Sequence, residues 1–244
     1  MFKVNSVRTK NNIILLAASA LLLLPGFISG GNGLTSEERK VSAFDGLAIA
    51  VPGEVYLVQG PAQKLVVEGT ERVLENLITE VKNGQLIIRT PRRWNFRRGD
   101  ELRVYITMPE LKKISLSGSA RVYAESPFRT DKLSVSISGS GRIEIEDFTA
   151  NELNVSISGS GRLRLGGSER LERSEIVISG SGRIESESLP AERVDVTISG
   201  SGRCYVHVLS DLNIRISGSG RVIYTGAPLI DARITGSGRV VNAN

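Results

Sequence analysis

Leu133-Ser-Val-Ser-Ile-Ser-Gly-Ser-Gly-Arg-Ile-Glu-Ile145 is the stretch whose reading decides the fold of this 244-residue chain. Every odd position in it is Leu, Val, Ile or Gly, and every even one is Ser, Arg or Glu. Such alternation describes extended backbone with one buried face. Laid straight, the stretch would reach roughly 43 Å at about 3.3 Å per residue, too long for one side of a short coil. Gly139 and Gly141, read as inward-facing, lack a Cβ, so the strand can turn a corner there and keep its in–out phase.

Working outward, the motif recurs seven times. It occurs as Ser117–Arg121, Ser138–Arg142, Ser158–Arg162, Ser179–Arg183, Ser199–Arg203, Ser217–Arg221 and Thr235–Arg239. Successive arginines lie 21, 20, 21, 20, 18 and 18 residues apart, and 13 of the 26 glycines fall inside the motifs. The glycine excess is therefore architectural. One unit cannot bury its own apolar face, but stacked units form a continuous column of Leu, Val and Ile. The chain reads as all-β, a parallel β-helix or solenoid with about 20 residues per rung. A sandwich of hairpins would need Asn-Gly or Asp-Gly turns as its repeating element. Those are not what repeats here.

Three regions follow from this pattern: residues 1–31, 32–110 and the SGSGR-repeat solenoid at 111–244. The middle region reads as a less regular β section of degenerate rungs that caps the first edge of the column. Within it, Leu47–Leu57 keeps the plan of alternation, corner glycine, alternation, and Val81–Ile88 reads as strand, turn, strand. Thr70 is placed to cap a short helix carrying Val73, Leu74, Leu77, Ile78 and Val81 at helical spacing. Residues 1–31 run from cations (Lys3, Arg8, Lys10) through an apolar run, Ile13–Leu24, to small residues after Pro25. That order is a secretory signal, and the run is shorter than the roughly 20 residues a bilayer requires. No Cys follows it, so a lipoprotein is not expected, and no later segment reads as membrane-spanning.

Composition narrows the function classes. The formal charge is +5, but without the leader's three cations it is 28 bases against 26 acids, or +2. A nearly neutral exported chain gives no reason to expect nucleic acid. One Cys and one His cannot build a disulfide framework or a Cys/His metal cluster. Cys204 and His207 are three apart on extended chain, so they face opposite ways and form no dyad. Acids are dispersed one per rung, unlike the clustered carboxylates of β-helical polysaccharide lyases and hydrolases. The expectation is a protein that is not an enzyme and has no catalytic residues, metal or cofactor.

The N-terminal strand section followed by tandem Ile-Ser-Gly-Ser-Gly units, over about residues 41–240, resembles the putative auto-transporter adhesin, head GIN domain family. The resemblance implies a right-handed parallel β-helix exported to the bacterial envelope, an adhesin, and no catalytic residues. Where many members carry an acid after the glycines, this chain carries Arg.

Stacking would line up Arg121, Arg142, Arg162, Arg183, Arg203, Arg221 and Arg239 in a column about 29 Å long at about 4.8 Å per rung. Neighbouring charges at that spacing repel by only about 0.8 kcal/mol in water. One reading has each Arg cover the corner with its stem and pair with acids such as Glu144 and Glu185. The other is an anion-binding stripe for a cell-surface polysaccharide or lipopolysaccharide, whose carboxylates or phosphates suit guanidinium forks. Beside it, Ser138, Ser140, Ser158, Ser160, Ser179 and Ser181 would stack as hydroxyl ladders that hydrogen-bond between rungs. A second candidate is the segment 91–100, where Arg92, Arg93, Arg97 and Arg98 surround Trp94 and Phe96. It reads as a loop that offers aromatic faces and cations to an envelope surface, or one whose Trp folds back on the solenoid. Its Arg98-Gly99-Asp100 match to an integrin tripeptide is too short to count. The favoured function is an adhesive or glycan-binding module of the envelope, secreted, periplasmic or at the cell surface. The alternative is a structural protein that self-associates, as a homodimer, through its C-terminal solenoid edge.

Overall fold

A computed structural model describes residues 28–30 and 33–244. It shows stacked parallel coils, about 6 turns spaced about 20 residues apart, with 65% strand and 3% helix, as the repeat predicts. The leader at 1–31 lies outside the described residues, except for the strand Ile28–Gly30.

One central coil explains the rest. Lys132–Gly139 forms the first face, Arg142–Ile145 the second and Phe148–Thr149 a short third. The next coil lies on it in register, Leu133 on Leu153, Ile137 on Ile157 and Ile143 on Leu163. Alternation supplies the core: Leu133, Val135, Ile137, Ile143, Ile145 and Phe148 are each at most 1% exposed. Phe148 also stacks in register on Phe128, so aromatic bulk fills the third side.

The corner corrects one expectation. Gly141 is inward, and a Cβ on it would lie 2.5 Å from Leu116 Cδ2 of the preceding coil. Gly139 is not inward. It adopts φ +123°, and a Cβ there would sit 2.7 Å from the Gly118 carbonyl oxygen, along the stacking direction. The first glycine supplies the left-handed turn, and the second makes room for the side chain of the neighbouring coil.

At the N-terminal end, Gly46–Ala50 and Glu54–Gln59 form a degenerate coil around the Gly53 corner. Gln85–Arg89 and Leu102–Met108 still stack on this coil in parallel, and beyond them the parallel order stops. Gln85–Arg89 pairs antiparallel with Ile78–Lys82, and Leu102–Met108 pairs antiparallel with Lys64–Gly69, which in turn pairs antiparallel with Leu34–Glu38. The outermost strand of the first face carries Glu80, paired with Lys82 at 2.7 Å and Arg89 at 3.1 Å, charges that blunt an edge against further pairing. The helix is shorter than expected, only Glu71–Asn76. Thr70 has the extended backbone of an N-cap but makes no capping side-chain bond. Ile78 and Val81 belong instead to a hairpin closed by Asn83 (φ 51°) and Gly84 (φ 72°), a turn whose twist suits two antiparallel strands.

The other end is different. Leu229–Gly236 and Arg239–Asn242 are the last strands on their faces, and Leu229, Ile230, Ile234 and Val241 are 79%, 43%, 42% and 39% exposed.

Candidate functional site

Stacking in register brings the seven motif arginines onto one corner. Arg121, Arg142, Arg162, Arg183, Arg203, Arg221 and Arg239 are successive partners along the parallel ladder. Toward the N-terminus the same column continues as Glu54, Arg103 and Glu68, with alternating charge.

What each guanidinium meets depends on the neighbouring outward column, two residues further along each strand. It reads Tyr123, Glu144, Arg164, Glu185, Tyr205, Ile223 and Val241. Only two of those are acids. Accordingly Arg142 pairs with Glu144 at 3.6 Å and Arg183 with Glu185 at 3.1 Å, while Arg121 turns back to Glu54 at 3.7 Å. Arg183 also lies over the Tyr205 ring, 5.4 Å from its centroid. Among the described residues, Arg162, Arg203, Arg221 and Arg239 enter no ion pair. Pairing with acids, one of the two expectations, thus applies to three of the seven arginines. Arg121, Arg142 and Arg183 each have an acidic partner, and the motif arginines without one among the described residues are Arg162 in the middle of the column and the last three, Arg203, Arg221 and Arg239.

The outward serines also stack. Ser117, Ser138, Ser158, Ser179, Ser199 and Ser217, then Thr235, form one column on the first face. The hydrogen-bonded ladder expected of them is absent among the described residues. The backbone already carries the inter-coil bonds, for example Ser140 N–H to the Gly118 carbonyl at 2.9 Å. The hydroxyls are left facing water.

Sequence reasoning missed a stack of tyrosines beside the foot of the arginine column. Tyr56 lies 5.2 Å from Tyr105 and 5.7 Å from Tyr123 between ring centroids, nearly parallel to each. The signal was available: Tyr56 follows the Gly53 corner by three, as Tyr123 follows Ala120. Tyr56 donates to Glu54 Oε2 at 2.9 Å, and burial together with that carboxylate pushes its phenol up to about 12. Its neighbour Tyr105, also raised mainly by burial, donates to Glu68 Oε2 at 3.3 Å.

The loop at 91–100 folds back. Trp94 and Phe96 meet edge to face at 4.8 Å, pack against the core and are half-buried. Arg72, from the helix, lies over the Trp94 ring at 4.6 Å and pairs with Asp100. Asp100 also accepts the Arg97 N–H at 2.6 Å, and this bond is the main reason its carboxyl lies below the usual range. The acid of the Arg-Gly-Asp tripeptide is thus used within the loop. Arg92, Arg93, Arg97 and Arg98 remain exposed and, among the described residues, form no ion pair. Asp100 and Glu54 line one shallow cleft with Arg103, so the loop adjoins the foot of the column, where acids separate it from the free arginines.

With the coils, the corner motif and the N-terminal strand section in place, the family can be stated. The model described as "Putative auto-transporter adhesin, head GIN domain" matches residues 43–228. The chain belongs to this family.

Three solved structures are similar in shape. A putative adhesin from Bacteroides fragilis NCTC 9343 is 25% identical with a TM-score of 0.82, covering 87% of this chain and 98% of that one. A putative lipid binding protein from Parabacteroides distasonis ATCC 8503 is 22% identical with a TM-score of 0.68, covering 89% and 99%. A putative adhesin from Parabacteroides merdae ATCC 43184 is 19% identical with a TM-score of 0.67, again covering 89% and 99%. The last two likenesses show the fold alone. No curated protein matches the sequence. In this head GIN chain Cys204 is fully buried, and desolvation raises its thiol far above the ordinary value, whereas His207 is half-exposed on the opposite face. A buried thiol held protonated is no nucleophile.

Proposed function

We propose that the protein is a non-enzymatic binding module of the bacterial envelope, which holds a repeating polyanion along its arginine corner. The ligand class is an acidic polysaccharide or the phosphates of lipopolysaccharide. One observation carries this reading: Arg162, Arg203, Arg221 and Arg239 share one column, at coil spacing, without an ion-pair partner among the described residues. Guanidinium groups at a fixed repeat suit an anion that also repeats, because each bidentate contact presets the next. The exposed loop arginines Arg92, Arg93, Arg97 and Arg98 form a second, smaller cationic patch. The family's adhesin description supports an envelope location, and no described helix is long and apolar enough to cross a membrane.

The reading is tested by retention on an immobilised acidic polysaccharide at two salt concentrations. Replacing Arg162, Arg203 and Arg221 together with Gln should weaken binding about tenfold or more, since even about 0.5 kcal/mol per contact compounds to that. Retention that ignores both salt and the triple substitution would overturn it.

A further inference from the structure

We infer that the exposed strand Leu229–Gly236 is a self-complementary edge that joins two copies of this chain, antiparallel, about a two-fold axis through Ala232. Ile230, Ala232 and Ile234 continue the inward columns of Leu212, Ile214 and Ile216, which are at most 2% exposed. In the last coil those inward positions lie open, with Ile230 and Ile234 each more than 40% exposed. The outward positions between them are Asp231 and Arg233, and among the described residues neither enters an ion pair.

The order Ile-Asp-Ala-Arg-Ile, residues 230–234, decides the partner. An antiparallel copy centred on Ala232 places Ile230 opposite Ile234 of the second copy, and Asp231 opposite its Arg233. The two-fold makes each of these contacts twice. Inward side chains stay inward on both copies, because the pairing joins residues of the same parity. The two in-phase alternatives, shifted by two residues, set Asp231 against Asp231 or Arg233 against Arg233. Directly opposed like charges are destabilising, whereas opposed unlike charges and aliphatic pairs are stabilising. Charge complementarity thus selects one register and one occupant, a second copy. Head-to-tail stacking lacks this match, because at the other end Glu80 and Lys82 of the outermost first-face strand are already paired with each other, and Glu80 also with Arg89 of the strand beside it. A two-fold contact of this kind closes on itself, so it yields a dimer and no filament.

The test is sedimentation of the protein purified from an expressing host, over a range of concentrations and with circular dichroism to check the fold. The wild-type chain should show a concentration-dependent dimer. Asp231→Arg and Arg233→Asp, each alone, should raise the dimer dissociation constant at least tenfold, and the double exchange of the two should restore it. Restoration excludes misfolding as the cause of the loss. A monomer at every concentration, open-ended assembly, single variants that dimerise like the wild type, or a double exchange without recovery would each overturn the inference. None of these variants touches Arg162, Arg203 or Arg221, so polyanion retention stands or falls separately.

Discussion

Gly159 shows how tightly a single residue is held by the coil on either side. Its φ is +116°, and a Cβ would lie 2.7 Å from the Gly139 carbonyl oxygen, a backbone atom that cannot swing away. Left-handed backbone alone costs an L-residue about 1–2 kcal/mol, and the contact adds to that. Gly159→Ala should therefore lower the urea midpoint by an amount equivalent to about 2 kcal/mol or more. Ser158→Ala, at the exposed neighbour, should stay within about 0.5 kcal/mol. Equal midpoints for the two variants would contradict the stacking geometry. The alternation of the sequence marked both glycines as special without separating their roles. That separation depends on the backbone of the adjacent coil, which lies 20 residues away in the chain.

Among the elements, the tyrosine stack couples three coils and should be visible by pH. Tyr56 is raised from 10.0 to about 12, first by burial and then by Glu54. A group whose folded value is raised keeps its full contribution below the unfolded value and loses it as pH climbs toward the folded one. The Tyr56 contribution to stability should thus be level below pH 10 and decline between 10 and about 12 as the phenol is forced to ionise. Tyr56→Phe should flatten that decline in chemical denaturation and remove one late-titrating phenolate from the ultraviolet titration. An unchanged alkaline limb would mean that the phenol is not held in this way. The short helix teaches the complementary lesson. Val73, Leu74, Leu77, Ile78 and Val81 fit helical spacing, yet Ile78 and Val81 are claimed by a hairpin, because the Asn83-Gly84 turn offers antiparallel pairing to a strand already fixed on the column.

At the scale of the whole molecule, stability follows the stack. Each coil contacts chiefly its two neighbours, so protection should be greatest where both sides are covered and least at the open end. In hydrogen exchange at low protein concentration, amides of 229–242 should exchange fastest among the strands, and those of 152–200 slowest. Uniform protection along the solenoid would contradict a nearest-neighbour column. The charge pattern has the same polarity. Acids accompany the corner arginines in the N-terminal coils and disappear toward the C-terminus, so the proposed ligand contact and the proposed dimer edge lie toward the same end.

The amino-acid sequence alone determined the all-β class, the coil length, the inward and outward faces and the residues that form the arginine column. All of these follow from periodicity, and a strand's in–out phase is a local property of the backbone. Only the tertiary structure decided which arginines are free, that the serines do not bond one another, that Trp94 folds under Arg72, and that three tyrosines meet. Those outcomes depend on which side chain of one coil lands beside which side chain of the next, over separations of 18 to 21 residues. No local pattern encodes that until the coils are stacked.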